Sequence, residues 1–249
     1  MMRLEGKTAI VTGMGAGIGE STARLFAKEG GDVVGNDILE EARHVVDAIR
    51  SDGGSAVFVR GDVSLTDIAK EIVETAIDTY GRLDILVNNA GIVLPGRVDN
   101  TSPEDWDRTM AVNVRGPYLL SKFAYPHLKE SKGTIIHVAS VAALMGLGNR
   151  AVYTASKGAL TSLTRAMAMD YKDDRIRVNC ICPGTTDTPS LADRLSQLPD
   201  PEIARKEFIE RQPMGRLGTP EEIAEGIMYL ALADFCTGTI LSVDGGMSL

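Results

Sequence analysis

The sequence predicts a doubly wound α/β fold: a parallel β-sheet with helices on both faces, in one domain over residues 1–249. Three observations carry this. Short β-rich runs alternate with longer helical patterns along the whole chain. The β-rich runs are continuously apolar, as in strands buried on both faces. No linker, low-complexity segment or shift in composition divides the chain.

Residues 8–11 read as the first strand and 18–29 as a helix, with Ala23, Phe26 and Ala27 at helical spacing. Further strands are expected at 32–34, 56–59, 83–87, 134–138, 176–181 and 239–243, and helices at 39–50, 68–80, 153–171 and 221–233. Ser102 reads as an N-cap with Pro103 at the first helical position. It opens a long helix towards Lys129, which Pro117 and Pro126 are expected to bend or end in part. The proline-rich stretch 185–219 reads as an excursion with short helices.

Composition narrows the function. Lys and Arg number 26 against 34 Asp and Glu, a formal charge of −8, which argues against a dedicated binder of nucleic acid or an anionic membrane. Three cysteines are too few for a disulfide scaffold, and Cys180 and Cys182 sit in an apolar run as packed thiols. The N-terminus has no signal-peptide core, and no apolar run reaches membrane-spanning length. A cytoplasmic location is expected. His44, His127 and His137 are scattered without acids or cysteines at ligand spacing, so no metal is expected.

Thr12-Gly13-Met14-Gly15-Ala16-Gly17-Ile18-Gly19 follows the first strand and enters a helix. Glycines permit a tight turn and bring backbone close to a pyrophosphate, which a helix N-terminus stabilises through free N–H groups and its dipole. In this strand–turn–helix context Gly13, Gly15, Gly17, Ile18 and Gly19 form a candidate dinucleotide site. Asp37 follows the second strand about 20 residues on, where a carboxylate accepts from the adenosine ribose hydroxyls and repels a 2′-phosphate. Ile38 after it is not basic, so NAD is expected over NADP. Asp62, with Val63, ends the third strand and can meet the adenine edge.

The glycine turn, Asp62, Asn88-Asn89-Ala90-Gly91, Asn113, Ser140, Tyr153 with Lys157, and Pro183-Gly184 occur in this order. In this the chain resembles the short-chain dehydrogenase/reductase (SDR) family over its whole length. The resemblance implies a Rossmann-type fold and alcohol–ketone chemistry on a nicotinamide cofactor. It assigns Asn113, Ser140, Tyr153 and Lys157 as the catalytic set. Asn113 would hold a water that relays protons to Lys157, and Ser140 would position the substrate oxygen. Asn89, Ala90 and Gly91 are small and let backbone approach the adenosine side, while Thr186 and Thr188 after Pro183-Gly184 can meet the carboxamide and the diphosphate. Tyr153 and Lys157 are four apart, on one helix face. A free phenol has a pKa near 10, and a neighbouring ammonium with the positive nicotinamide ring lowers it towards a working base.

Asn149-Arg150-Ala151-Val152-Tyr153, Cys182-Pro183-Gly184-Thr185, Asp187 to Leu191 and Arg211-Gln212 are similar to one subgroup. It holds cytosolic type 2 (R)-3-hydroxybutyrate dehydrogenase and bacterial 2-keto-3-deoxy-L-fuconate dehydrogenases. This implies a small anionic hydroxy acid as substrate, its carboxylate held by Arg150, Arg194 and Arg211. The alternative for these arginines is surface salt bridging, since Asp187, Asp193, Glu207 and Glu210 are close in sequence. Rival readings are a 3-oxoacyl-thioester reductase using NADPH, a generic ketone or polyol dehydrogenase, and a non-catalytic nucleotide sensor. The family further implies a homotetramer packed through the helices from Ser102 and Tyr153. Met167 and Met169 fit packing or such a contact.

Overall fold

The computed structural model describes residues 2–249. Strands β1 (Thr8–Thr12), β2 (Asp32–Asp37), β3 (Ser55–Arg60), β4 (Ile85–Asn88), β5 (Thr134–Val138), β6 (Arg177–Pro183) and β7 (Ile240–Val243) form one sheet. Their order is β3-β2-β1-β4-β5-β6-β7, and every pairing is parallel. The chain winds outward from β1 to β3, then crosses back to β4 and winds the other way. The crevice beyond the C-terminal ends of β1 and β4 is thus the switch point where such sheets bind ligands.

Helices α1 (Gly17–Lys28), α2 (Arg43–Ser51) and α9 (Pro220–Leu232) cover one face. Helices α3 (Thr66–Tyr80), α5 (Gly116–Ser131) and α6 (Ala151–Asp170) cover the other. The pleat explains the continuously apolar strands. Ala9 and Val11 pack with Phe26 of α1, while Ile10 between them packs with Ile72 of α3 and Leu120 of α5. In β5, Ile136 and Val138 face the first layer and Ile135 the second.

Four helices open with a hydroxyl or carboxylate cap followed by proline at the first position. They are α4 (Pro103–Met110), α7 (Pro189–Ser196), α8 (Pro201–Glu210) and α9, capped by Ser102, Thr188, Asp200 and Thr219. Proline gives up an N–H that has no helical partner there, and the cap accepts from a remaining one. Thr219 and Glu222 form a reciprocal capping box.

The long helix differs from expectation. Neither proline ends it. The interruption is a π-helical turn over Ala111–Arg115, joining α4 to α5, with Pro126 inside α5. Pro117 has no N–H for the carbonyl of Asn113 four residues earlier, so the break falls just before it. Residues 40–42 form a 3-10 turn ahead of α2, and β4 starts two residues later than expected.

At the opposite end of the sheet from the crevice, buried Asp84 binds the Thr8 amide (3.0 Å), Lys7 (3.0 Å) and Arg82 in a two-pronged contact of 2.7 Å each. Burial alone would push its carboxyl up. Arg82, the Thr8 amide and Lys7 outweigh this and hold it below the usual value. A carboxylate depressed on folding contributes stability above its unfolded pKa, near 4, and loses that contribution as pH falls. Asp84→Ala should cost about 1–3 kcal/mol at pH 7 and lower Tm by roughly 2–12 °C. Denaturant titrations should show the gap to wild type narrowing below pH 4; a gap independent of pH would contradict the assignment.

Candidate active site

A cavity of about 410 Å³ opens at the switch point, walled by the segments that leave the C-terminal ends of β1, β4, β5, β6 and β7. At one end lie Gly13, Gly17, Ile18, Asp37, Asn89, Ala90 and Gly91, at the other Ser140, Arg150, Tyr153, Arg194 and Arg211. Lys157, Pro183, Gly184, Thr186 and Thr188 complete the predicted residues on its wall.

The turn after β1 is built for close backbone approach. A Cβ at Gly19 would lie 2.0 Å from the Gly13 carbonyl oxygen, so α1 can start there only with glycine. Gly13 (φ 63°) and Gly17 (φ 56°) occupy left-handed conformations that other residues rarely adopt. The N-cap of α1 is Ala16, which has no side chain to satisfy the first-turn N–H groups. Four other helices are side-chain capped; this one presents its N-terminus to the cavity. That geometry fits the diphosphate of a dinucleotide. Asp37 lines the same end, with one carboxylate oxygen accepting from the Gly15 amide (3.0 Å) and the other from the Leu39 amide (3.1 Å).

Six predicted residues lie off the wall. Gly15 and Gly19 shape the turn from behind. Ile38 is exposed beside Asp37. Asp62 accepts from the Ser64 amide (2.8 Å), and Val63 packs in the core against Gly116. Asn113 is buried one layer back. Its Nδ2 donates to the Ile92 carbonyl (3.0 Å) and Ser156 Oγ (3.0 Å), and its Oδ1 accepts from the Ile92 amide (2.8 Å). Ser156 in turn donates to the Tyr153 carbonyl (2.7 Å).

Lys157 Nζ is buried, donates to the Val138 carbonyl at 2.8 Å and stands 5.8 Å from the centre of the Tyr153 ring. Burial brings its pKa down to about 8. At the Tyr153 phenol, burial pushes the pKa above its ordinary value, while the Ser140 hydroxyl, Arg194 and Arg150 pull it back. A neutral phenol is the acid form, ready to donate a proton.

The arginines do not behave as surface salt bridges as a group. Asp187 pairs with Arg205 (3.0 Å), and Glu210 with Lys206 (3.9 Å). Arg211 reaches Glu207 at 4.0 Å and stacks over Phe208 at 4.7 Å. Among the described residues, Arg150 and Arg194 pair with no carboxylate. Their hydrogen bonds go to the Asn149 carbonyl (2.7 Å) and the Ser190 carbonyl (3.2 Å). Both are half-buried, and burial lowers the pKa of each.

Sequence reasoning missed several wall residues, among them Val93, Leu147, Phe208 and Met247. They are single apolar side chains on loops or a short helix, and no motif marks them. Among the described residues no cluster of three or more His, Cys, Asp or Glu side chains could hold a metal ion, and no helix is long and apolar enough to cross a membrane.

A protein-family model described as enoyl-(acyl carrier protein) reductase matches residues 13–248. An uncharacterized oxidoreductase of Thermotoga maritima is 49% identical over 249 residues, covering 98% of each chain. Dehydrogenase/reductase SDR family member 6 of Danio rerio is 42% identical over 253 residues, covering 100% of both. Among solved structures, the ligand-free aldohexose dehydrogenase of Thermoplasma acidophilum aligns with a TM-score of 0.90 at 34% identity, covering 99% of this chain and 96% of that one. With the glycine turn, the crevice and the Tyr153–Lys157 helix in place, the chain belongs to the short-chain dehydrogenase/reductase family, as an oxidoreductase that works with NAD(H) or NADP(H).

Proposed function

We propose that the protein interconverts a secondary alcohol and a ketone on a small hydroxy acid, with NAD(H) as cofactor. The observation that carries the substrate reading is the pair of half-buried guanidiniums, Arg150 and Arg194, that share the Tyr153 end of the cavity and have no carboxylate partner there. A bound carboxylate would supply the missing charge in the bidentate geometry that guanidinium favours. The subgroup of 3-hydroxybutyrate and 2-keto-3-deoxy-fuconate dehydrogenases that the sequence resembles acts on such acids.

Bound at the glycine end, the nicotinamide cofactor supplies the two-electron exchange as a hydride. Tyr153 takes the alcohol proton during oxidation and returns it during reduction, with Ser140 hydrogen-bonding the substrate oxygen. Lys157, beside the Tyr153 ring, favours the phenolate and opposes the rise that burial imposes, and the positive charge of a bound oxidised nicotinamide would act in the same direction. Asn113 holds the loop after β4 against the Tyr153 helix. Asp37 accepts from the ribose hydroxyls and disfavours a 2′-phosphate. Assembly as a homotetramer belongs to the same proposal, and Trp106, Tyr118 and Met169 are exposed large side chains on α4, α5 and α6.

A neutral-sugar dehydrogenase is the second reading, favoured by the structural likeness to the aldohexose dehydrogenase. A screen following NADH absorbance, with 3-hydroxybutyrate, its methyl ester, 2-keto-3-deoxy sugar acids and aldohexoses, separates the two. Arg150→Ala and Arg194→Ala should each raise KM for the free acid about tenfold or more, the loss of a charge-assisted hydrogen bond, and leave the neutral ester nearly unaffected. Equal effects on acid and ester would remove the carboxylate assignment.

Cofactor choice is read from kcat/KM with NAD(H) and NADP(H). The wild type should prefer NAD(H), and Asp37→Ala should narrow the ratio by about tenfold. A wild-type preference for NADPH would favour the thioester-reductase rival. Tyr153→Phe should cut turnover at least about 100-fold with the Kd for NADH unchanged. Retained turnover in that variant would exclude Tyr153 as proton donor and acceptor.

A further inference from the structure

The loop after β4 is fastened to the start of α6 at Arg150. The Gly96 amide donates to the Asn149 carbonyl (3.1 Å), and the Ala151 amide donates to the Gly96 carbonyl (3.0 Å). Gly96 and Arg150 thereby form an isolated parallel bridge outside the strands of the sheet. A Cβ at Gly96 would lie 2.3 Å from Thr101 Oγ1, so a side chain there would displace the hydroxyl that donates to the Arg97 carbonyl (2.7 Å).

The same Asn149 carbonyl accepts a second bond, from Arg150 Nη1 at 2.7 Å. One oxygen therefore holds both the strap and the guanidinium. It does so from an uncommon backbone conformation, since Asn149 is left-handed with φ 58°. Asparagine tolerates this region better than other side chains, and β-branched residues tolerate it least. The side chain of Asn149 is exposed and makes no hydrogen bond in the structure. What the residue contributes is the direction of its carbonyl.

We infer that Asn149 is a specificity-positioning residue: its left-handed backbone aims the Arg150 guanidinium into the cavity for an anionic substrate. The inference rests on the carboxylate reading above. It makes the local chain before the Tyr153 helix part of substrate selection, with no contact between Asn149 and the substrate.

The test uses the full-length protein loaded with NADH and calorimetric titration with butyrate, a small carboxylate that cannot react. Asn149→Val should weaken butyrate about tenfold, because the left-handed conformation is lost. Asn149→Gly, which keeps that conformation, should hold the butyrate Kd within about twofold. The Kd for NADH should be the same in all three proteins. Wild-type butyrate affinity in Asn149→Val would overturn the inference, as would equal weakening in both variants, which would point to the amide side chain. Parallel loss of NADH affinity would also overturn it, by showing general damage to the site. Arg150→Ala separates the two readings. If it binds butyrate as tightly as wild type, the carboxylate reading falls and this inference with it; if it weakens butyrate while Asn149→Val does not, only the positioning role fails.

Discussion

The crevice exists because β1 and β4 are neighbours in the sheet while their following segments diverge, and a small polar stitch holds them together. Thr12 Oγ1 accepts from the Asn89 amide (3.1 Å) and the Ala90 amide (3.0 Å), and donates to the Val87 carbonyl (3.4 Å). Asn89 Nδ2 returns the contact to the carbonyls of Thr12 (2.9 Å) and Gly13 (3.0 Å). Backbone groups that would be orphaned where strand pairing ends are thus satisfied by side chains. The approach is so close that a Cβ at Gly13 would lie 2.9 Å from the Ala90 Cα. Turn and stitch are one device. Glycine admits the two chains to each other, and the amide and hydroxyl fix the distance between them.

A second device extends that order towards the chemistry. The side-chain amide of Asn113 pairs with the peptide of Ile92 much as a neighbouring strand would, and its second hydrogen reaches Ser156 on α6. A regular α-helix gives no reason for such a residue to sit in its interior. The π turn over Ala111–Arg115 redirects the chain at that point, and such turns recur at functional sites. Loop, long helix and Tyr153 helix are therefore linked through one buried amide. Removing it would leave several buried polar groups without partners at once.

The parts legible in the sequence are those where one physical demand fixes the residue type. Strands buried on both faces must be apolar throughout, which marks the central strands, while the partly exposed edge strands β3 and β7 are legible from their place in the strand–helix alternation. Glycine is forced where backbone meets backbone, so the turn after β1 stood out. Cap-and-proline pairs such as Ser102-Pro103 mark helix starts wherever they occur. The π turn was not readable, because Pro117 signals a break without giving its form. Arg150 and Arg194 were ambiguous for a related reason. Nearness in sequence to Asp187 or Glu210 says nothing of spatial pairing, and those acids go to Arg205 and Lys206. Val93, Leu147, Phe208 and Met247 reach the cavity through the paths of their segments, which local pattern does not encode.

The arginines also bear on how an acidic chain can favour an anion. A net charge of −8 creates a repulsive average field at distance, but salt screens exposed charges beyond about 10 Å. Inside the cavity the relevant charges are local. Arg150 and Arg194 are half-buried with carbonyl partners alone, which leaves their desolvation poorly offset in the free protein. Repulsion between them adds to that cost, and it is felt at Arg150. A packing optimum would place a carboxylate beside them or exchange them for apolar residues. Neither has happened, although acids flank the segment. Uncompensated charge at a reactive site is the pattern expected when the counter-charge arrives with the substrate. Under the carboxylate reading proposed above, it would also make the site selective, because a neutral alcohol entering the same cavity would leave both guanidiniums unmatched.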